Sequence, residues 1–257
     1  MKLLGPGIQA QPYPSFADVF DALKRNRALY AVVPIENTLH GSILENYDHL
    51  LEYGFPIRGE TSVRISHHLI GMPGTRFRDV QQAFSHPVAL NQCREFFARN
   101  KNIAATSFYD TAGSVKMLKE KGLPAAAAIA SEAAARFYGG VILKRNIEDN
   151  RHNYTRFFLL SKQRSVASQI GAPWKTSVVF STVNSPGALF KVMACFALRD
   201  LSLTKIESRP LVGRPWEYMF YVDFLGSTSD TPARNALANL SEVTRFNRVL
   251  GSYQPTA

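Results

Sequence analysis

From Ser15 to Tyr138 the sequence alternates strand-length apolar runs with segments of helical periodicity, and this alternation limits the possible folds more than any other feature. Ser15 followed by Asp18 resembles a capping box. Phe16, Val19, Phe20 and Leu23 then recur at helical spacing, which predicts a helix over Phe16 to Lys24. Leu29 to Ile35 reads as a buried strand, Asn46 to Leu51 as part of a helix, and Phe55 to Leu69 as two β-like segments. Pro87 suits a first helical turn, and one helix is expected to carry Leu90, Gln92, Cys93, Phe96 and Phe97. Ile103 to Phe108 is an expected strand, and Asp110 caps an expected helix over Thr111 to Lys121. Ala126 to Ala130 follows as a strand, and Ser131 caps a helix reaching Tyr138. Strand and helix in this order argue for parallel βαβ units and an α/β fold.

A second pattern begins at Trp174. Lys175 to Thr182, Leu201 to Ser208, Met219 to Leu225 and Phe246 to Gly251 read as strands, with helices over Ala188 to Leu198 and Thr231 to Leu240. The order βαββαβ is that of a ferredoxin-like fold. Residues 162–173, rich in Ser, Gln, Gly and Pro with little periodicity, read as a linker between domains at 1–161 and 174–257.

Composition narrows the function classes. With 46% hydrophobic residues, 17 Phe among them, core material is ample and disorder is excluded as a class. No apolar run approaches the roughly 18 residues of a membrane span, and Met1 to Gly7 lacks the basic and apolar pattern of a signal peptide. The expectation is a cytoplasmic protein with no membrane partner. Two cysteines, Cys93 and Cys195, exclude a disulfide framework and offer no zinc spacing, so no metal is expected. The net charge of +10 is spread over the whole chain without dense basic runs, which argues against a nucleic-acid partner; such a field does favour encounter with a small anionic metabolite.

Polar residues gather at the ends of the expected strands, where α/β proteins hold ligands. Glu36 and Asn37 follow the first strand, and Ser85 and Gln92 are placed to flank one cleft. Asp110 to Ser114, including Thr111, offers a helix N-terminus able to hold an anion. Asn150 to Arg156 runs into the apolar stretch Phe157 to Leu160. There Thr155 supplies a hydroxyl and Arg156 a planar guanidinium, a pair suited to an anionic substrate that loses a hydroxyl. Taken alone, a Thr-Arg pair opening a strand is more often a solvated strand end, and each of these motifs is weak singly.

In one order and spacing, however, Glu36-Asn37, Ser85-His86-Pro87 with Gln92, Asp110-Thr111-Ala112-Gly113, Ala128-Ile129-Ala130-Ser131 and Asn153 to Phe157 resemble prephenate dehydratase, and also the similar arogenate dehydratases. The second pattern is similar to the amino-acid-sensing ACT domain of those enzymes, with Gly187-Ala188-Leu189-Phe190 in its first loop and Glu207-Ser208-Arg209-Pro210 after its second strand. The resemblance implies a two-lobed catalytic domain like a periplasmic binding protein, with its site in the cleft between lobes, joined to a ferredoxin-like ACT domain. It implies conversion of prephenate to phenylpyruvate in phenylalanine biosynthesis, no cofactor, L-phenylalanine as effector, and a homodimer or homotetramer. Arogenate as the substrate stays open, as does a catalytically impaired homologue that only binds phenylalanine.

The residues carried over from the resemblance are Thr155, Arg156, Glu36, Asn37, Ser85 and Gln92 for catalysis, with Phe157 and Thr111 positioning the substrate. Asn184, Gly187, Ala188, Leu189, Glu207, Ser208, Arg209 and Pro210 are carried over for phenylalanine. In this reading Thr155 donates a hydrogen bond to the departing hydroxyl and Arg156 anchors a carboxylate. Glu36 serves as proton source if burial raises its pKa. The opening departs from the family pattern. Members carry a Leu-Gly-Pro-x-Gly-Thr-x-Ser turn and a helix before the Pro-Ser-Phe segment, whereas Leu4-Gly5-Pro6-Gly7 here leads almost directly to Tyr13-Pro14-Ser15-Phe16.

Overall fold

A computed structural model describes residues 4–5, 7–163, 173–211 and 217–256. By compactness the chain forms two units, one of residues 1–63 and 155–257 and one of residues 64–154. Of the expected linker, residues 164–172 lie outside the described residues.

The first unit opens with helix α1 (Phe16–Lys24), where Ser15 Oγ accepts from the Asp18 amide and its hydroxyl donates to the Asp18 carboxylate at 2.6 Å, as the capping pattern predicts. Strand β1 (Ala31–Asn37), the short β2 (Gly41–Ser42) and helix α2 (Leu44–Tyr53) follow, then β3 (Ile57–Arg64). The chain re-enters this unit along β9 (Tyr154–Leu160), and β14 (Pro255–Thr256) joins the sheet edge, giving the order β14-β3-β9-β1-β2. Strand β1 is antiparallel to β9, not part of a parallel unit. Phe20, Leu23, Ile35, Leu50, Ile57 and Phe158 form the core on this sheet.

The same core continues into a second sheet. Strands β10 (Lys175–Ser181), β11 (Leu203–Pro210), β12 (Tyr218–Leu225) and β13 (Phe246–Tyr253) pair in the order β11-β12-β10-β13, all antiparallel, with helices α7 (Ala188–Ala197) and α8 (Thr231–Val243) between them. This is the expected βαββαβ arrangement. Val179, Met219, Tyr221 and Tyr253 turn towards the first sheet's core, while Val178, Phe180, Val222 and Phe224 turn towards α7 and α8. Both faces of β10 and β12 are therefore covered, which explains their continuous apolar runs. The layers approach closely at Gly251, where a Cβ would lie 2.3 Å from the carbonyl oxygen of Ile57.

The second unit holds β4 (His68–Gly71), β5 (Gln82–Ser85), β6 (Ala104–Ser107), β7 (Ala126–Ala130) and β8 (Val141–Lys144) in the order β6-β5-β7-β4-β8. The expected parallel pairing is present between β5, β6 and β7, linked by α3 (Pro87–Asn91), α4 (Arg94–Arg99) and α5 (Thr111–Lys121). Strands β4 and β8 run antiparallel to their neighbours, and α6 (Glu132–Tyr138) precedes β8. The single helix expected through Leu90 and Phe97 is broken. The Asp149 carboxylate accepts from the amides of Arg94 (2.9 Å) and Glu95 (3.0 Å) and so starts α4 afresh, a cap supplied from 54 residues away that no local pattern reveals.

One titration is built into this unit. His68 is buried, and its Nδ1 accepts from the Asn146 amide at 3.0 Å, which requires neutral imidazole at that nitrogen. Burial lowers its pKa from the ordinary value. The unfolded chain then binds the proton more readily, so stability is full above the ordinary value of about 6.5 and falls as pH drops from there through the lowered folded-state value. Thermal melts between pH 7.5 and 5 should show a shallower decline for His68→Asn, which keeps an acceptor for Asn146 and has no titration, than for the wild type.

Candidate active site

The register of β1 against β9 arranges the first group of expected site residues. Asn37 lies opposite Thr155 and Glu36 opposite Arg156, with a register shift between Pro34 and Glu36. Residues directly opposite share a face, and successive residues on a strand point to opposite faces. The structure therefore brings together Asn37 with Thr155, and separately Glu36 with Arg156.

On the first face, Asn37 Nδ2 donates to Thr155 Oγ1 at 3.0 Å. The amide orientation is fixed by its other end. Asn37 Oδ1 lies 3.0 Å and 3.1 Å from the backbone N–H groups of Leu39 and His40, which only donate, and 3.0 Å from His40 Nδ1. The oxygen must face those groups, so the NH2 faces Thr155. A hydroxyl oxygen that accepts from an amide keeps its own proton available for a third partner. Phe157 falls on the same face as Thr155 by strand alternation and is half-buried.

On the opposite face, Arg156 is surrounded by carboxylates. Its Nε donates to Glu60 at 2.8 Å, one terminal nitrogen reaches Glu36 at 3.4 Å, and the other bonds Asp223. Its guanidinium also lies over the Phe158 ring, 4.9 Å from the centroid. Burial opposes the charge, but Asp223 and Glu60 outweigh it and hold the guanidinium above its ordinary pKa. The sequence reading of a hydroxyl and a guanidinium gripping one anion thus meets a geometric obstacle, because the two side chains leave opposite faces of the sheet. Glu36 is 35% exposed at its side chain and pairs with Lys205 at 3.1 Å as well as with Arg156, so it is neither deeply buried nor free of positive partners, and it sits on the Arg156 face rather than beside Thr155. Glu60, Asp223 and Lys205 are the residues that sequence reasoning missed. A charged residue inside an apolar strand, as Asp223 is in Tyr218 to Leu225, was the available signal.

In the second unit, Ser85 is fully buried and its hydroxyl donates to the Ile129 carbonyl at 2.6 Å, tying β5 to β7. Gln92 sits at the break between α3 and α4. Its Oε1 lies 2.7 Å from His67 Nε2 and 3.2 Å from Asn153 Nδ2, and its carbonyl accepts from Asp149 at 2.7 Å. His86 caps α3 through Nδ1, 3.2 Å from the Val88 amide. Thr111 is the first residue of α5, whose cap Asp110 accepts from Gly113. Among the described residues, no group of three or more His, Cys, Asp or Glu is arranged to hold a metal ion.

The residues expected to meet an amino-acid effector divide by geometry. Gly187 has φ +76° and opens α7, with Ala188 as its first residue, while Asn184 and Leu189 are exposed. On β11 the side chains alternate. Glu207 and Arg209 turn inward to Ser42 and Asp48 respectively, and Ser208 and Pro210 are exposed. Removing one member of a buried charge cluster strands the others. Arg156→Met is expected to lower unfolding stability in urea by about 3–5 kcal/mol, since among the described residues it leaves Asp223 without a cationic partner and Glu60 with Lys175 alone; a loss below about 1 kcal/mol would mean that the cluster is solvated.

The family model described as prephenate dehydratase matches residues 1–165. The arogenate dehydratase/prephenate dehydratase 2, chloroplastic, of Arabidopsis thaliana is 42% identical over 96% of this chain and 67% of its own length. Arogenate dehydratase 2 of Petunia hybrida is also 42% identical, over 96% of this chain and 66% of its own length. The chain thus spans about two thirds of the length of these relatives. Among solved structures, the prephenate dehydratase of Arthrobacter aurescens in complex with L-Phe aligns with a TM-score of 0.84 and 32% identity, covering 95% of this chain and 80% of that one. A protein described as a novel type of quorum quenching acylase aligns at 0.88 with 33% identity, covering 97% and 90%. Several of the relatives are chloroplastic by name, which overturns the cytoplasmic expectation drawn from Met1 to Gly7. With its family match over residues 1–165 and 42% identity across 96% of its length, this chain belongs to the prephenate dehydratase family.

Proposed function

We propose that this chain catalyses the decarboxylating dehydration of prephenate to phenylpyruvate, or of its amino analogue arogenate to phenylalanine, in phenylalanine biosynthesis. The observation that carries the reading is the oriented Thr155 hydroxyl, whose oxygen accepts from Asn37 and whose proton is left to donate. In the reaction the bond to the ring carboxylate breaks, its electron pair enters the ring, and the hydroxyl across the ring departs with its own pair. Carbon dioxide and, after one proton is added, water are released, and the ring becomes aromatic. A threonine hydroxyl is too weak an acid to ionise near neutrality, so Thr155 acts by hydrogen bonding to the departing oxygen in the transition state. The Asn37 amide polarises that hydroxyl and fixes its direction. No cofactor enters this scheme.

The division into a catalytic domain at 1–161, a linker at 162–173 and an ACT regulatory domain at 174–257 belongs to the same proposal, with L-phenylalanine as effector. The βαββαβ layer and the exposed turn at Asn184 to Gly187, which leads into α7, support it. Self-association as a homodimer or homotetramer is supported by Leu189, Phe190 and Leu198 of the α7 region, which are 38%, 75% and 81% exposed.

The test is a paired assay of the purified chain on prephenate and arogenate, with acyl-amide hydrolysis measured alongside in view of the acylase-like neighbour. Turnover of either cyclohexadienyl acid supports the reading, and amide hydrolysis alone would replace it. Thr155→Ala is expected to lower kcat by about 10²–10³-fold, the usual loss for one oriented transition-state donor; wild-type turnover in that variant removes Thr155 from its role. Asn37→Ala should cost roughly tenfold, since the donor remains but is no longer oriented.

A further inference from the structure

Arg156 has no free face on which to meet a substrate. Its three nitrogen positions are taken by Glu60, Glu36 and Asp223, and its plane by Phe158. The carboxylates are themselves held. The other Asp223 oxygen accepts from Ser177 Oγ, Ser177 pairs with the Tyr253 hydroxyl at 2.8 Å, and Tyr253 reaches Glu60 at 3.2 Å. Lys175 binds the second Glu60 oxygen at 2.6 Å. Releasing Arg156 towards a ligand would break a closed ring of contacts contributed largely by β10, β12 and β13.

The same network runs outward to β11. Lys205 lies 3.1 Å from Glu36 and 2.8 Å from Ser42 Oγ, Glu207 bonds Ser42, and Arg209 grips Asp48 with both sides of its fork. These three side chains share the inward face of the strand. Ile206, Ser208 and Pro210 share its exposed face. β11 is also an edge strand of its sheet, held to β12 on one side. In the middle of the network the buried Tyr47 hydroxyl has no hydrogen-bond partner among the described residues, and Lys205 lies over its ring at 5.8 Å from the centroid. A buried hydroxyl left unpaired is costly, and it lies where the inward face of β11 meets the cluster.

We propose that Asp223 and Lys205 are positioning residues for the reaction: through Arg156 and Glu36 they set the β1–β9 register that aims Asn37 and Thr155, so displacement of β11 by a bound effector changes turnover without touching the substrate. The proposal rests on the dehydratase reading. Each side chain acts across the sheet from the reacting face, where the strand backbone carries the displacement to the adjacent residue. Arg156 is on this view a strut.

The experiment uses the full chain. Steady-state kcat and KM are measured on whichever of prephenate and arogenate is turned over, with and without phenylalanine, for the wild type, Asp223→Asn and Lys205→Met. Arg248→Met is the control, because Arg248 ties the same two layers through the Leu51 carbonyl at 3.0 Å outside the ion network. Both network variants should lower kcat by roughly tenfold with KM within about twofold, and their inhibition by phenylalanine should weaken at least about fivefold. Phenylalanine should still raise their Tm, and Arg248→Met should match the wild type. A KM raised about tenfold at constant kcat would return Arg156 to the substrate and overturn the proposal. So would unchanged kcat and inhibition, or an equal loss in Arg248→Met. If Asp223→Asn does not melt cooperatively, Lys205→Met decides from the other end. A wild type inactive on both acids sinks the dehydratase reading and this proposal together, whereas an active wild type with indifferent variants sinks the proposal alone.

Discussion

Three carboxylates converge on Arg156, and much of the first unit depends on how that charge is held. Glu60 and Asp223 are nearly buried, so each would carry a heavy desolvation cost if left alone. Their placement requires β3, β9 and β12 to come together at one point, which fixes the βαββαβ layer against the first sheet more sharply than apolar burial alone would. Hydrophobic contacts among Phe158, Tyr221 and Tyr253 supply area without much direction. The ion cluster supplies direction. The Tyr253 phenol shows the same environment, since burial and then the nearby carboxylates raise its pKa well above the ordinary value.

A sheet separates this cluster from the candidate chemistry. Thr155 and Arg156 are neighbours in sequence and belong to different faces, so one strand end serves two purposes: a donor on one side and an anchor on the other. The register shift beside Ile35 is part of the arrangement. It lets Ile35 enter the core and Glu36 still meet Arg156, so that a buried aliphatic and a charged residue follow one another towards the same layer.

Much of this was legible in the sequence. Ser15, Asp110 and Ser131 announce their helices because capping is local chemistry, and the βαββαβ order emerges from apolar runs and turns. The family motifs place Asn37 and Thr155, which the structure then joins. What was not legible is non-local. The break between α3 and α4 comes from Asp149, the antiparallel pairing of β1 and β9 from residues more than a hundred positions apart, and the charge partners of Arg156 from strands whose facing partners cannot be read locally. The opposite orientation of Thr155 and Arg156 is a different case. It follows from strand alternation alone and was available to a reader who applied it to the motif.

The discontinuity of the first unit bears on the order in which the molecule assembles during synthesis. Residues 64–154 form a continuous stretch, whose contacts can be made as soon as that stretch has left the ribosome. Strand β1 has to wait for its partner β9 until Leu160 is made, and Arg156 has to wait longer still for Asp223. The residues of the Asn37–Thr155 pair are therefore both present before the anchor behind them has been translated, while the core under their sheet is completed only with Val179, Tyr221 and Tyr253.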